Sequence, residues 1–157
     1  MHFFSRSFSL NRFVISFLLL FCCIPTALYC QWHETNGPFG MKVYCFATNG
    51  DSLYAGGSSG VFYSADGGAL WTAINNGLPQ NQYHAAHALA VSGANIFAGW
   101  EHEGSLFRSS DNGAHWEKKS TGLGDNQYVH AIGVSGVNLY ACTEGFGVYR
   151  STDNGDN

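Results

Sequence analysis

The stretch Ser64-Ala-Asp-Gly-Gly-Ala-Leu-Trp71 returns as Ser109-Ser-Asp-Asn-Gly-Ala-His-Trp116, and a third copy begins as Ser151-Thr-Asp-Asn-Gly155. The aspartates of successive copies are 45 and 42 residues apart. A period of this length is typical of proteins in which each repeat is one supersecondary unit that buries its apolar face against the next unit. The chain is therefore expected to be a repeat protein.

The sequence before each copy repeats as well. Two further sets of segments align, namely 51–56 with 94–99 and 137–142, and 60–64 with 105–109 and 147–151. In the second repeat, four short segments rich in β-branched and aromatic residues lie at 87–91, 95–99, 105–109 and 115–119, separated by Gly, Asn, Asp and Ser turns. Such segments predict short strands joined by tight turns.

Four strands per repeat predict a four-stranded antiparallel meander, and a radial array of such meanders is a β-propeller. An all-β sandwich is the alternative, but it does not require a motif at a fixed place in every unit. The expected fold class is therefore all-β, a β-propeller of four-stranded blades. Residues 130–151 supply three strands of the third repeat.

The repeated Ser-x-Asp-x-Gly-x-x-Trp pattern resembles the Asp-box, or BNR repeat, of sialidases, sortilin-type receptors, xyloglucan-degrading enzymes and photosystem II assembly and stability factors. The resemblance covers residues 32–157, and it implies that the boxes lie on the face away from the ligand site. The residues given this structural role are Ser64, Asp66, Gly68, Trp71, Ser109, Asp111, Gly113, Trp116, Ser151, Asp153 and Gly155.

The chemistry of the motif agrees with a hairpin turn. A hydroxyl and a carboxylate two residues apart can accept backbone N–H groups of a tight turn. Glycine supplies positive φ where the chain reverses. Trp71 and Trp116 are then expected to start the outer strand and to pack between neighbouring sheets.

The N-terminus has the pattern of a signal peptide. Arg6 and Arg12 flank a polar segment, and the apolar run of residues 13–24 is shorter than the roughly 20 residues that span a bilayer. We expect cleavage after Cys30, which leaves residues 31–157 as a partial propeller that is secreted, periplasmic or on the cell surface, with no membrane contact. An uncleaved anchor is the alternative.

Residues 31–39 resemble the end of a repeat, so an orphan outermost strand is expected there. With two full repeats and three strands of a third, this makes twelve strands in about three blades, fewer than the 4 to 8 blades typical of propellers. The sequence is therefore expected to be the N-terminal part of a longer propeller.

Charge and cysteine content limit the partners and the covalent structure. Beyond residue 30 there are five basic and eleven acidic residues, a formal charge of −6. An acidic surface repels phosphate backbones, so nucleic acid is not an expected partner. Cys45 and Cys142 remain beyond the signal, and the sequence leaves their pairing open, because an exporting compartment permits a disulfide and buried free thiols are also common.

Candidate ligand-binding residues lie in the loops expected at the edge opposite the boxes. One loop carries Glu101, His102 and Glu103, and the equivalent loop carries Glu144. Two carboxylates around an imidazole suit metal binding or acid–base chemistry. A solvated loop is the competing interpretation, because adjacent residues of an extended chain point in different directions; no metal or cofactor is predicted.

The inter-blade segments offer further candidates. Gln82-Tyr-His84 precedes His87, and Gln127-Tyr128 precedes His130. His87 and His130 are at equivalent positions at the head of the innermost strand, so they could line a central channel. Because they recur in each repeat, an architectural role competes with ligand binding.

The function expected from these features is a non-catalytic exported module that binds a protein or a glycan, most similar to the photosystem II assembly factor-like group. The alternative is the N-terminal part of a secreted glycoside hydrolase, a sialidase or a xyloglucan-active enzyme, with catalytic residues beyond Asn157. Arg108 and Arg150 fall short of the three arginines that sialidases use to hold a carboxylate sugar. A third possibility is that these 157 residues have no activity alone.

Overall fold

The computed structural model describes residues 31–80, 85–101, 105–124 and 128–157. The predicted signal peptide and the candidate residues Gln82, Tyr83, His84, His102, Glu103 and Gln127 lie outside the described residues. The chain divides into two units, Met1–His33 and Glu34–Asn157. All strands given below belong to the second unit.

The described residues form eleven strands in three antiparallel sheets, which we call blades 1, 2 and 3. Blade 1 has the order β1-β2-β3-β4, blade 2 the order β5-β6-β7-β8, and blade 3 the order β9-β10-β11. The bounds are β1 Val43–Asn49, β2 Ser52–Gly57, β3 Gly60–Ser64, β4 Thr72–Ala73, β5 Ala86–Ser92, β6 Asn95–Trp100, β7 Ser105–Ser109, β8 Glu117–Lys118, β9 Val129–Ser135, β10 Asn138–Thr143 and β11 Gly147–Ser151. The predicted meanders are confirmed.

Tight turns and alternating side chains account for the sheets. The turns of the first hairpin in each blade hold Gly50, Gly93 and Gly136, each at φ 59°. The innermost strand β5 contacts both β1 and β9. Because successive strand residues point to opposite faces, β5 can pack on the preceding and the following blade at once.

Two apolar clusters join the blades. Tyr54, Val61, Ile96 and Trp116 belong to the cluster between blades 1 and 2. Phe97, Leu106, Val129 and Leu139 belong to the cluster between blades 2 and 3. Each fully buried side chain of this size stabilises the fold by roughly 1.5–3 kcal/mol, so these clusters hold the blades together.

Apolar side chains are exposed on the two end faces of the row of blades, which are the free faces of blades 1 and 3. Phe46 is 52% exposed, although Leu89, its equivalent in blade 2, is 8% exposed. Val148 is 65% exposed, although the equivalent Leu106 is 3% exposed. The same sequence positions are therefore core in the middle of the arc and surface at its ends.

The aspartate hairpins, residues 64–71, 109–116 and 151–157, share one hydrogen-bond network. In the second, Ser109 Oγ donates to Asp111 Oδ1 at 2.7 Å, and Gly113 N donates to Ser109 Oγ at 2.7 Å. His115 N donates to Asp111 Oδ1 at 2.9 Å. The first and third hairpins repeat all three bonds. The predicted turn chemistry is confirmed, with φ of 93°, 90° and 80° at Gly68, Gly113 and Gly155.

The two tryptophans of the motif differ in burial. Trp116 is in the core between blades 1 and 2, as predicted, whereas Trp71 is half-buried. Trp71 precedes the outer strand of blade 1, and no described sheet lies before that blade. That Trp71 packs between two sheets therefore stays a prediction.

The expected orphan strand is absent, because none of residues 31–42 is in a strand. An outermost strand pairs with the third strand of its blade, as β4 does with β3, and the described residues offer no such partner here. Part of this segment packs on the first hairpin instead, where Asn36 N donates to Gly68 O at 3.1 Å. The described residues thus contain eleven strands where twelve were expected.

Cys45 and Cys142 are both free thiols, which answers the question that the sequence left open. Cys45 Sγ donates to Ala86 O at 3.4 Å, across the contact between blades 1 and 2. Burial raises the pKa of the Cys45 thiol to about 12. In the part of the chain that the structure describes, no helix is long and apolar enough to cross a bilayer.

Candidate functional site

A β-bulge is present at the head of the innermost strand in all three blades. In blade 2, Ala86 pairs with Trp100 and Ala88 with Gly99, so His87 is the extra residue. Tyr44 is the extra residue in blade 1 and His130 in blade 3. Bulges redirect a side chain and are over-represented beside functional sites. We call Tyr44, His87 and His130 the bulge row.

Each histidine of the bulge row is paired with a glutamate from the end of the second strand. His87 Nε2 lies 3.0 Å from Glu101 Oε2, and His130 Nε2 lies 3.5 Å from Glu144 Oε2. Equivalent backbone bonds position the two carboxylates, because Glu101 N donates to Ala85 O and Glu144 N donates to Tyr128 O. The pairs are therefore one arrangement that occurs twice.

The aromatic rings of the bulge row lie in sequence across the blades. Tyr44 stacks on His87 with ring centroids 4.5 Å apart and an interplanar angle of 10°. His87 meets His130 edge-on at 6.5 Å, and His130 stacks on Tyr128 at 5.9 Å. Stacked and edge-to-face contacts of this kind stabilise by about 0.5–1.5 kcal/mol. The surface is thus a continuous strip of ring faces and edges.

Glu101 and Glu144 place two carboxylates at this edge. The pKa of the Tyr128 phenol is raised by burial and then by the negative charges of Glu101 and Glu144. Both carboxylates therefore act on the same hydroxyl. A cationic group placed between them would gain charge-assisted hydrogen bonds, which are stronger than neutral ones.

The predicted site residues fall into two groups. Four of them come together at one edge of the sheets, namely His87, Glu101, His130 and Glu144. The sequence indicated this only through their equivalent positions in successive repeats. His102 and Glu103 lie outside the described residues. Within the described residues, no group of three or more His, Cys, Asp or Glu side chains is placed to hold a metal ion.

Sequence reasoning missed Tyr44. When β1 is aligned with β5 and β9, Tyr44 occupies the position of His87 and His130. The repeat itself therefore contained the signal. Histidine is a common catalytic and metal-binding residue, and tyrosine at the same position carries no such signal. A phenol ring at the same position was not recognised as their equivalent.

The aspartate hairpins lie at the opposite ends of the strands. Antiparallel pairing brings the start of the first strand and the end of the second to one edge, and the turn from the third to the fourth strand to the other. The pKa of Asp111 is lowered by the hydrogen bond from His115 N and then by that from Ser109. Each aspartate is engaged within its own hairpin.

Solved structures similar to this chain are β-propeller proteins. YCF48 bound to D1 peptide matches with a TM-score of 0.63 and 17% identity over 76% of this chain and 40% of that one. The extracellular domain of a putative one-component system from B. thetaiotaomicron matches with a TM-score of 0.61 and 19% identity over 76% and 16%. The GH74 enzyme of Niastella koreensis matches with a TM-score of 0.54 and 20% identity over 73% and 22%.

These comparisons show the fold. The chain spans less than half the length of each of these structures. No protein-family model matches the chain, and no curated protein matches it. The described residues fold as three blades of a β-propeller, as the repeat predicted.

Proposed function

We propose that the chain is a non-catalytic binding module that holds an extended segment of a partner protein across the bulge row, and that the segment carries an arginine or lysine side chain. The observation that carries the proposal is the repeated pair, His87 with Glu101 and His130 with Glu144, beside a strip of aromatic rings. Carboxylates beside exposed rings suit a cation that is paired on one side and stacked on the other.

The arrangement of charge supports this choice of partner. The carboxylates of Glu101 and Glu144 act together on Tyr128, and the chain beyond residue 30 has a formal charge of −6. Like charges disfavour acidic partners, and opposite charges speed association. The similar propeller YCF48 is solved with a peptide bound, which supports a peptide as the kind of partner.

Export is part of the proposal. The apolar run of residues 13–24 behind Arg12 has the composition of a signal peptide. One similar structure is an extracellular domain. We infer that the module works outside the cytoplasm, in the periplasm, at the cell surface or in the medium.

The test compares two pools of fluorescein-labelled hexapeptides that differ at one fixed position, arginine in one pool and its neutral analogue citrulline in the other. We expect binding, measured by fluorescence anisotropy, to favour the arginine pool. The double variant Glu101→Gln and Glu144→Gln should abolish this preference. Glu117→Gln, which removes an exposed carboxylate from outer strand β8, is the matched control. Equal binding of the two pools would contradict the proposal.

The second candidate is part of a glycoside hydrolase. Two carboxylates at one edge and the similarity to a GH74 enzyme favour it. A sialidase needs arginines to hold a carboxylate sugar, and Arg108 is already bound to the next hairpin. Its guanidinium donates to Asn154 O at 2.9 Å and pairs with Asp156 Oδ1 at 3.2 Å. Release of product from xyloglucan or a fluorogenic sialoside, lost on Glu101→Gln or Glu144→Gln, would establish this second function.

A further inference from the structure

The two histidine–glutamate pairs of the bulge row repeat at a short distance. His87 and His130 are the extra residues of equivalent bulges in blades 2 and 3, and their ring centroids are 6.5 Å apart. In an extended chain, side chains two residues apart point to the same side and lie about 6.6 Å apart, because each residue rises about 3.3 Å. An extended segment that crosses the two blades would therefore present every second side chain to successive pairs.

The glutamates follow the same repeat as the imidazoles. The equivalent backbone bonds of Glu101 and Glu144 hold each carboxylate beside its own histidine, at 3.0 Å and 3.5 Å. Burial, and then the negative charges of both glutamates, raise the pKa of the Tyr128 phenol. Two carboxylates near one hydroxyl repel each other. A ligand with one cation pairs one of them, whereas a ligand with two cations pairs both.

Each carboxylate can accept a ligand as well as its imidazole. The contact with the imidazole joins Nε2 to Oε2 in both pairs, and a carboxylate offers about four acceptor positions on its two oxygens. The side chains of Glu101 and Glu144 are 32% and 64% exposed, so a group from solvent can reach them. Each pair therefore suits one guanidinium or ammonium group.

The aromatic rings favour arginine over lysine at both places. Tyr44 stacks on the His87 ring, and Tyr128 stacks on the His130 ring. Each pair thus has an aromatic side chain beside it, and a planar guanidinium can stack on an aromatic ring while it donates to a carboxylate. The ammonium group of lysine has no such plane.

We propose, on the basis of the proposed function, that the bulge row recognises two arginines separated by one residue in an extended segment, one at the Glu101 pair and the other at the Glu144 pair. The residue between the two arginines points to the opposite side of the segment. Its identity is therefore not read by the bulge row. Adjacent arginines, or arginines three residues apart, point to opposite sides and can engage only one pair at a time.

The test uses three fluorescein-labelled peptides of identical composition and charge. They are Gly-Thr-Arg-Thr-Arg-Thr-Gly, Gly-Thr-Arg-Arg-Thr-Thr-Gly and Gly-Arg-Thr-Thr-Arg-Thr-Gly, in which threonine favours the extended conformation. We expect the first, alternating peptide to bind the 157-residue chain about fivefold more tightly than the other two by fluorescence anisotropy, because it gains a second ion pair and a second ring contact. Net charge cannot cause such a difference, since all three peptides have the same charge.

Single variants of the protein test whether both pairs are needed. Glu144→Gln should lower the affinity for the alternating peptide to that for the adjacent-arginine peptide, and Glu101→Gln should do the same. Each single variant should keep a reduced preference for arginine over citrulline, because one pair remains. Glu117→Gln, on outer strand β8, is the control and should keep the full preference for the alternating peptide.

The outcomes separate this inference from the proposed function. Equal binding of the three peptides, with the preference for arginine over citrulline retained, would overturn the spacing and leave the proposed function standing. No preference for arginine over citrulline in the parent chain would overturn both. The comparison of peptides on the parent chain does not depend on whether any variant folds.

Discussion

The indole Nε1 of Trp116 donates a hydrogen bond of 2.6 Å to the carbonyl oxygen of Ile74, 42 residues earlier in the chain. Trp71, at the same position of the preceding repeat, donates instead to Gly68 O in its own hairpin at 3.1 Å. One residue type at one repeat position therefore joins two blades in one case and closes a local turn in the other.

We expect Trp116→Phe to lower the free energy of unfolding by about 2–3 kcal/mol, because it removes a buried hydrogen bond and leaves space in the core. Trp71→Phe should lower it by less than about 1 kcal/mol, because its indole is half-buried. Urea unfolding followed by circular dichroism measures both. Equal losses would contradict the different roles given to the two side chains.

Ser109→Ala should destabilise the fold by about 1–3 kcal/mol, because Gly113 N–H loses its buried acceptor, Ser109 Oγ. Exposed Ser135 in β9 provides the matched control, and Ser135→Ala should change stability by less than about 0.5 kcal/mol. Asp111→Ala should also lower the melting temperature. Neither hairpin variant should alter peptide binding at the bulge row once folded proteins are compared, and loss of binding at unchanged stability would reverse the assignment of the two edges.

Gly113→Ala should be more destabilising than Gly122→Ala. Both glycines have positive φ, 90° and 84°, so both substitutions strain the backbone by about 1–2 kcal/mol. Only at Gly113 would the added methyl also collide with the Ile74 side chain, since the space at Gly122 is open. Overpacking adds about 1–3 kcal/mol. Denaturant unfolding of the two variants measures the contribution of overpacking as the difference between their free energies of unfolding. Equal losses of stability would show that the Ile74 side chain moves aside without strain.

Acid should weaken the hairpins. Hydrogen bonds lower the pKa of Asp66 and Asp111 below the ordinary 3.8, and those from Ser151 and Asn157 lower that of Asp153 to about 2. A carboxyl whose pKa is lower in the folded state stabilises the fold above its unfolded pKa, and this stabilisation is lost as pH falls through the folded value. The free energy of unfolding should therefore fall between about pH 4 and about pH 2.

The variant Asp66→Asn with Asp111→Asn checks this assignment. It should be less stable than the parent at pH 6, and the two stability curves should converge toward pH 2, because the titrating groups have been removed. Chemical unfolding at a series of pH values gives the curves. Parallel curves would show that other groups cause the acid dependence.

Cys45 should resist alkylation in the folded protein. Its pKa is raised to about 12 by burial, and only the thiolate reacts. Peptide-level mass spectrometry after iodoacetamide treatment at pH 8 should find Cys45 unmodified in native protein and modified in guanidinium. A raised thiol pKa also means that stability is lost as pH rises above about 9. Rapid native modification of Cys45 would contradict the close contact with Ala86.

The repeat and its turns could be predicted because their causes are local. The bonds of the second aspartate hairpin join residues that are two to four apart, Ser109, Asp111, Gly113 and His115. Alternation of apolar residues located β5, β6 and β7 to within a residue or two. The sequence alone therefore determined the all-β class, the meander and the hairpin chemistry, since each depends on neighbours along the chain.

Only the tertiary structure decided what the edges of the sheets carry. His87 meets Glu101 because a bulge shifts the register at one residue, and neither the bulge nor its effect is visible in the sequence of either strand. Phe97 from blade 2 and Leu139 from blade 3 share one apolar cluster because the two blades pack on each other. Pairing of β5 with β6 sets the first feature and packing of one blade on the next sets the second, and such contacts between distant residues follow from the assembled shape rather than from any local pattern.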